Sequence, residues 1–203
     1  MERTIGFLSV VDGTISYLYE PMDELVDILD EQGNPTGQSC LKSEAHRKGL
    51  WHPTIHVWLY TQEGKVLIQQ RGKHKDTHPL LWDVSVAGHV AAGENIPLAA
   101  VREVQEEVGL TISEADLEPI GTFKAIHKIS EVFIDAELHH LFLCELKVPI
   151  TALTKQESEV DALELIPLFR FAEETWGLAN AANYVPHGPT YYKTIVKEIK
   201  NRI

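Results

Sequence analysis

Apolar and polar residues alternate along much of this chain with the period of a strand, and three stretches carry the period of a helix. ELVDILD (24–30) interleaves apolar and acidic residues and predicts a half-buried strand. EQGNPTG (31–37) predicts a turn, and SEAHRKGLWHP (43–53) reads as an irregular segment rich in histidine. TIHVWLY (54–60), TQEGK (61–65) and VLIQQR (66–71) predict a β-hairpin. The polar loop KHKDTHP (73–79) leads into another strand within LLWDVSVAGHV (80–90). IPLAAVREVQEEVGL (96–110) predicts a helix, with Pro97 suited to its first turn and Gly109 to the position past its end. Strands follow in TFKAIHKI (122–129) and DAELHHLFLCEL (135–146), then a strand or loop in EVDALELIPL (159–168). FRFAEETWG (169–177) and PTYYKTIVKEIKNRI (189–203) predict helices, the second with Tyr192, Ile195 and Ile199 at helical spacing. Upstream, GFLSVVDGTISYLYE (6–20) predicts a short hairpin around Asp12-Gly13. Residues 1–22 read as an N-terminal extension, and residues 23–203 as the main domain. Single helices between runs of strands predict an α+β fold, a mixed β-sheet inside an α/β/α sandwich.

Composition narrows the function classes. The net charge of −12 argues against a general nucleic-acid binder, which needs a basic face for phosphates. A small anionic substrate is still compatible, because a bound divalent metal inverts the local field. No apolar run approaches the ~18 residues of a membrane span, and the start of the chain lacks a secretory signal, so a cytoplasmic location is expected. Cys40 and Cys144 form no CxxC and are expected to be reduced, packed thiols. The acids between Glu20 and Glu31 read as a solvated edge.

The helix at 96–110 carries the most telling chemistry. Glu103, Glu106 and Glu107 stand at i, i+3 and i+4 and so share a face, where like charges repel. A hard cation such as Mg²⁺ takes oxygen ligands and turns that repulsion into binding. Leu98, Val101 and Val104, with Val108 nearby, are expected to pack the opposite face on the sheet. Gly88 permits a close backbone approach, and its carbonyl is a candidate further ligand. Glu94 and Arg102 are read as an oppositely charged brace at the loop–helix junction. In full, the pattern is Gly88, five residues, Glu94, seven residues, Arg102-Glu103, Val104, Gln105, Glu106-Glu107, Val108, Gly109-Leu110. This resembles the signature box of the Nudix hydrolase family at every defined position. The resemblance implies a Nudix-type α/β/α sandwich and a hydrolase of diphosphate linkages in small molecules, dependent on Mg²⁺ or Mn²⁺. It implies Glu103, Glu106 and Glu107 as metal-bearing catalytic residues, with Arg102 among them and Gly88 as a further ligand.

A narrower resemblance runs through ELVDILDEQGNPTGQ, AHRKGLWHPTIHVWLY and LIQQRGKHKDTHPLLWDVSVAGHVAAGE, and is to Nudix proteins related to isopentenyl-diphosphate isomerase. Those isomerases carry a Cys just before the Gly-His that opens the box; here it is Ala87. They also hold a metal with histidines and a Glu-x-Glu strand. His46, His52 and His89 fall near the matching histidines, and Asp135-x-Glu137 near the paired acids. Read without the resemblance, these histidines are loop or core residues and the acids are edge charges.

Arg71 and Lys73 are candidate diphosphate-binding residues in a basic stretch from Lys65 to Lys75, whose bland alternative is a charged hairpin end. Glu137 and Glu159 are both candidate general bases. Trp58 and Trp82 are expected in the core; Trp51 is left open. The alternatives to hydrolysis are an isopentenyl-diphosphate isomerase-like enzyme and a non-catalytic diphosphate-binding module. A homodimer is compatible with the long strand and the extension.

Overall fold

In a computed structural model the described residues are 5–11, 14–20, 23–176 and 181–203, with side chains described from 23–176 and 182–203. Strands β1 (Ile5–Val11) and β2 (Thr14–Glu20) pair antiparallel, as the hairpin reading expects; its Asp12-Gly13 turn lies outside the described residues. β3 (Leu25–Leu29) pairs with β4 (Pro35–Leu41) in a second small sheet. A short helix, α1 (Lys42–Lys48), follows. The main sheet is built from β5 (His52–Thr61), β6 (Lys65–Arg71), β7 (Trp82–Asp83), β8 (Val86–His89), β9 (Glu118–Ser130), β10 (Phe133–Glu145) and β11 (Val160–Pro167). Its order is β11-β6-β5-β10-β9, with β7 on β6 and β8 on β5. β5 and β10 run parallel and the other pairs antiparallel, so the sheet is mixed.

Every residue of β5 is buried, and its alternation divides the molecule into layers. Ile55, Val57 and Leu59 meet α2 (Ile96–Val108) in one apolar cluster with Leu67, Val104, Val108 and Phe142. Trp58 and Tyr60 meet α3 (Leu168–Thr175) and α4 (Pro189–Lys200) in another, with Phe171, Tyr191, Tyr192 and Ile195. Helices therefore cover both faces of the sheet, the expected α/β/α sandwich. Trp58 is fully buried, and Trp82 packs against the same cluster. Both cysteines are free thiols, Cys144 buried and Cys40 half-buried.

Three expectations are corrected. The turn at 31–37 ends at Asn34, and Pro35 already begins β4, whose mostly exposed polar residues hide its strand character. The irregular segment at 43–53 contains α1, closed by Gly49 at φ 62° and buried through Ala45 and His46. Leu98 does not pack on the sheet: it is 50% exposed. The inward stripe of α2 runs through Ala100, Val104, Glu107 and Val108, so one of the carboxylates shares the packed face.

Candidate active site

The loop–helix junction is fixed first. Asn95 caps α2 by accepting from the Leu98 amide, with Pro97 in the first turn, and Gly109 closes the helix at φ 67°. Arg102 grips Glu94 with two bonds of 2.9 Å, the expected brace. It also donates to Glu103 Oε1 at 2.7 Å, Glu106 Oε2 at 3.1 Å and the His89 carbonyl at 3.0 Å. One guanidinium thus ties the helix carboxylates to β8.

Glu103 lies against Gly88 so closely that a Cβ there meets the Glu103 carboxyl carbon at 2.1 Å. Only glycine leaves the carboxylate its place. Glu107 accepts from Gln69 Nε2 at 3.1 Å and from the Ala87 amide at 3.2 Å. Burial pushes Glu103 up to about 8, against the pull of Arg102 and with the repulsion of Glu107 and Glu106. Burial likewise pushes Glu107 up to about 7, against Lys75. Glu106 is more open, 37% exposed at its side chain. Glu103 and Glu107, whose ionisation burial disfavours, stand beside the carboxylate of Glu106, and the set fits a hard divalent cation.

Arg71 ends β6 and is held by Asp83 at 2.9 Å and by the Thr77 carbonyl and hydroxyl at 3.0 Å each. Lys73 is exposed. Lys75 pairs with Glu159 and is the cation that acts most on Glu107. Nothing in the local pattern separates Lys75 from its neighbours, because the meeting of loop 72–75 with Glu159 is a long-range contact.

On the opposite face of β8 the histidines converge. Ligand atoms of His46, His52 and His89 lie within 4.8 Å of one another, as do those of His52, Asp135 and Glu137. His46 Nε2 is 3.6 Å from Asp135 Oδ1, and Glu137 Oε1 is 3.9 Å from His52 Nε2 and 3.5 Å from His89 Nε2. Ligands held about 2.1 Å from one ion stand roughly 3–4 Å apart, so the spacing fits a metal centre. Nε2 of all three histidines and Asp135 Oδ1 are buried with no hydrogen-bond partner among the described residues. His52 Nδ1 bonds the Leu50 carbonyl at 2.9 Å, which fixes the tautomer and leaves Nε2 as a lone-pair donor. Burial holds the three imidazoles below their ordinary range, neutral as ligands must be. Burial, then Asp135, pushes Glu137 well upward.

Next to this group lies a constellation absent from the sequence reading. His56 and His139 stack at 4.0 Å, and His187 stands 5.2 Å from His56. Asp83, wholly buried, bonds His187 Nε2 at 2.8 Å. Burial opposes the ionisation of Asp83, but His187 and Arg71 outweigh it and hold the carboxyl well below its usual range. No spacing rule links His56, Asp83, His139 and His187; strands β5, β7 and β10 and the segment before α4 bring them together.

A mixed sheet between helices, a loop–helix braced by Arg102 and three clustered glutamates define a Nudix-type domain. Residues 50–187 match the NUDIX domain family, and the chain belongs to the Nudix family. It is 33% identical over 203 aligned residues to an uncharacterized Nudix hydrolase of Clostridium acetobutylicum, covering 87% of this chain and 97% of that one. Over 100 residues it is 39% identical to an isopentenyl-diphosphate Delta-isomerase of Nocardia farcinica, 49% of this chain and 55% of that one. A crystal structure from Deinococcus radiodurans shares the fold at a TM-score of 0.63 and 19% identity, over 84% of this chain and 98% of the other. Among the described residues no helix is long and apolar enough to cross a membrane.

Proposed function

We propose that this Nudix hydrolase cleaves a diphosphate linkage in a small-molecule diphosphate and depends on Mg²⁺ or Mn²⁺. The observation that carries the reading is the set of Glu103, Glu106 and Glu107 on one helix, with Glu107 buried, Glu103 half-buried and both pushed up in pKa. A divalent ion on these carboxylates neutralises phosphate oxygens and lowers the pKa of the attacking water. Arg102 holds Glu103 and Glu106 in place, and Gly88 gives Glu103 its room and is the candidate carbonyl ligand. Arg71 and Lys73 supply positive charge for the substrate, beside Lys75. Glu103, or one of Glu137 and Glu159 outside the helix, is the candidate acceptor for the water proton. Two free thiols fit a reducing compartment, the cytoplasm on this reading.

The decisive experiment is Mg²⁺-dependent release from a panel of nucleoside diphosphates, nucleotide sugars and isoprenyl diphosphates. Glu106→Gln is expected to keep the thermal midpoint near that of the parent and to reduce turnover by at least about 100-fold. A Glu106→Gln protein with unimpaired turnover refutes the assignment.

A second reading, an isomerase of isopentenyl diphosphate, is favoured by one observation, the convergence of His46, His52, His89, Asp135 and Glu137. Ala87 weighs against it, since it offers no group to move a proton. Solvent deuterium incorporated into an allylic product, with no phosphate released, is the result that selects isomerisation.

A further inference from the structure

The histidines that the metal group does not use occupy the same face of the sheet, one step along β5 and β10. In register, His52 stands beside Glu137 and Thr54 beside His139. The first pair belongs to the metal group. From the second pair onward the wall is polar without ligating anything. Trp58 Nε1–H donates to the Tyr191 hydroxyl at 3.1 Å, and that hydroxyl also bonds His56 Nδ1 at 2.6 Å. Thr54 Oγ1 bonds His139 Nδ1 at 2.8 Å, and His187 Nε2 donates to Asp83 at 2.8 Å.

That leaves His139 Nε2 and His187 Nδ1 buried with no hydrogen-bond partner among the described residues. The side chains are only 2% and 7% exposed. His78 Nε2 is in the same condition. His78 has φ 48° in the loop between β6 and β7, whose Leu80 has φ 62°, and it lies within electrostatic reach of Arg71, Asp83 and His187. Three separate segments thus each hold one unanswered imidazole nitrogen: the His139 and His187 rings stand 5.8 Å apart, and the His78 ring meets that of His127 on β9 at 5.8 Å. Buried polar atoms are almost always paired, and a left-handed non-glycine backbone is retained where something requires it. An apolar guest leaves all three nitrogens unanswered, whereas a guest with heteroatoms answers them.

We propose that His78, His139 and His187 read the non-phosphate half of the substrate, and that this half is a group rich in hydrogen-bonding heteroatoms and not a hydrocarbon chain. The proposal rests on the diphosphohydrolase reading above and goes beyond it by naming the residues that select the substrate.

The test is a ratio. For the full chain with Mg²⁺, kcat/KM is measured for a nucleoside diphosphate and a nucleotide sugar, and for dimethylallyl diphosphate. The parent is expected to favour the polar substrates by at least about 100-fold. His139→Leu and His187→Leu are expected to lower that preference at least about tenfold, through KM on the polar substrates. His139→Gln, which keeps a donor and an acceptor, recovers part of it. A structural role alone changes both substrate classes together and leaves the ratio unmoved. An unmoved ratio in folded variants, or a parent that prefers dimethylallyl diphosphate, overturns the proposal and assigns the nitrogens to ordered water. If no diphosphate is turned over, the hydrolase reading fails separately. Calorimetric binding of a methylene-bridged nucleoside diphosphate to parent and His139→Leu then decides the proposal: at least about tenfold weaker binding to the variant supports it, and equal binding overturns it.

Discussion

The ionised forms of Glu103 and Glu107 on α2 are unfavourable where they stand. Glu103 and Glu107 ordinarily titrate near 4.5, and in the fold they rise to about 8 and about 7. The folded chain therefore retains protons that the unfolded chain releases. Each group's contribution is fully present below about pH 4.5 and is lost as pH rises through the folded pKa. Replacing Glu107 by Gln removes that loss. In metal-free protein, the thermal midpoint of Glu107→Gln is expected to match the parent near pH 5 and to exceed it by pH 8. With Mg²⁺ the order at pH 8 reverses, because only the parent keeps the full ligand set. Parallel melting curves from pH 5 to 8, with and without EDTA, test both statements. A gap that shrinks on raising pH in EDTA contradicts the burial argument.

At the scale of elements, α4 closes one face of the sheet through Tyr191, whose hydroxyl receives Trp58 Nε1–H and bonds His56 Nδ1. Tyr191→Phe leaves the ring in place and strips two buried groups of their partner. Such losses cost about 1–3 kcal/mol each. A drop in unfolding free energy of that order is expected in denaturant titration, with an unchanged m-value. Elements were legible where the period was long: the β5–β6 hairpin, α2 with its caps, and α4. α1 was not, because its seven residues have no side-chain cap and bury only Ala45 and His46. β4 was not, because Pro35 and Gly37 signal a turn and, among the described residues, its strand pairs only with β3. The inward direction of Glu107 was also hidden. A charged residue on an otherwise apolar stripe reads as solvent-facing until Gln69 and the Ala87 amide are seen beside it.

Across the whole molecule, sequence spacing is enough for the glutamates of one helix, but the second centre needs tertiary structure. His46 comes from α1, His52 from β5, His89 from β8, and Asp135 with Glu137 from β10. Parallel pairing of β5 with β10 sets Glu137 beside His52, a contact that no local pattern encodes. A transition metal in this nitrogen-rich group ties together four elements and stabilises the fold by mass action. Titrating metal-free protein with Mn²⁺ or Zn²⁺ is expected to raise the thermal midpoint by several degrees, and His52→Gln to abolish most of the gain. An equal rise in His52→Gln places the bound ion elsewhere.

The two centres also share a strand. Gly88 turns its bare side to Glu103, while His89, the next residue, reaches Glu137 on the other face. Only a peptide unit separates them, and Arg102 holds the His89 carbonyl from the helix side. Because successive residues of a strand face opposite ways, a one-residue deletion in β8 exchanges the faces. It sends an imidazole into the space that tolerates no Cβ and withdraws His89 from Glu137 on the other side. A single slip in this short stretch thus disturbs both faces at once.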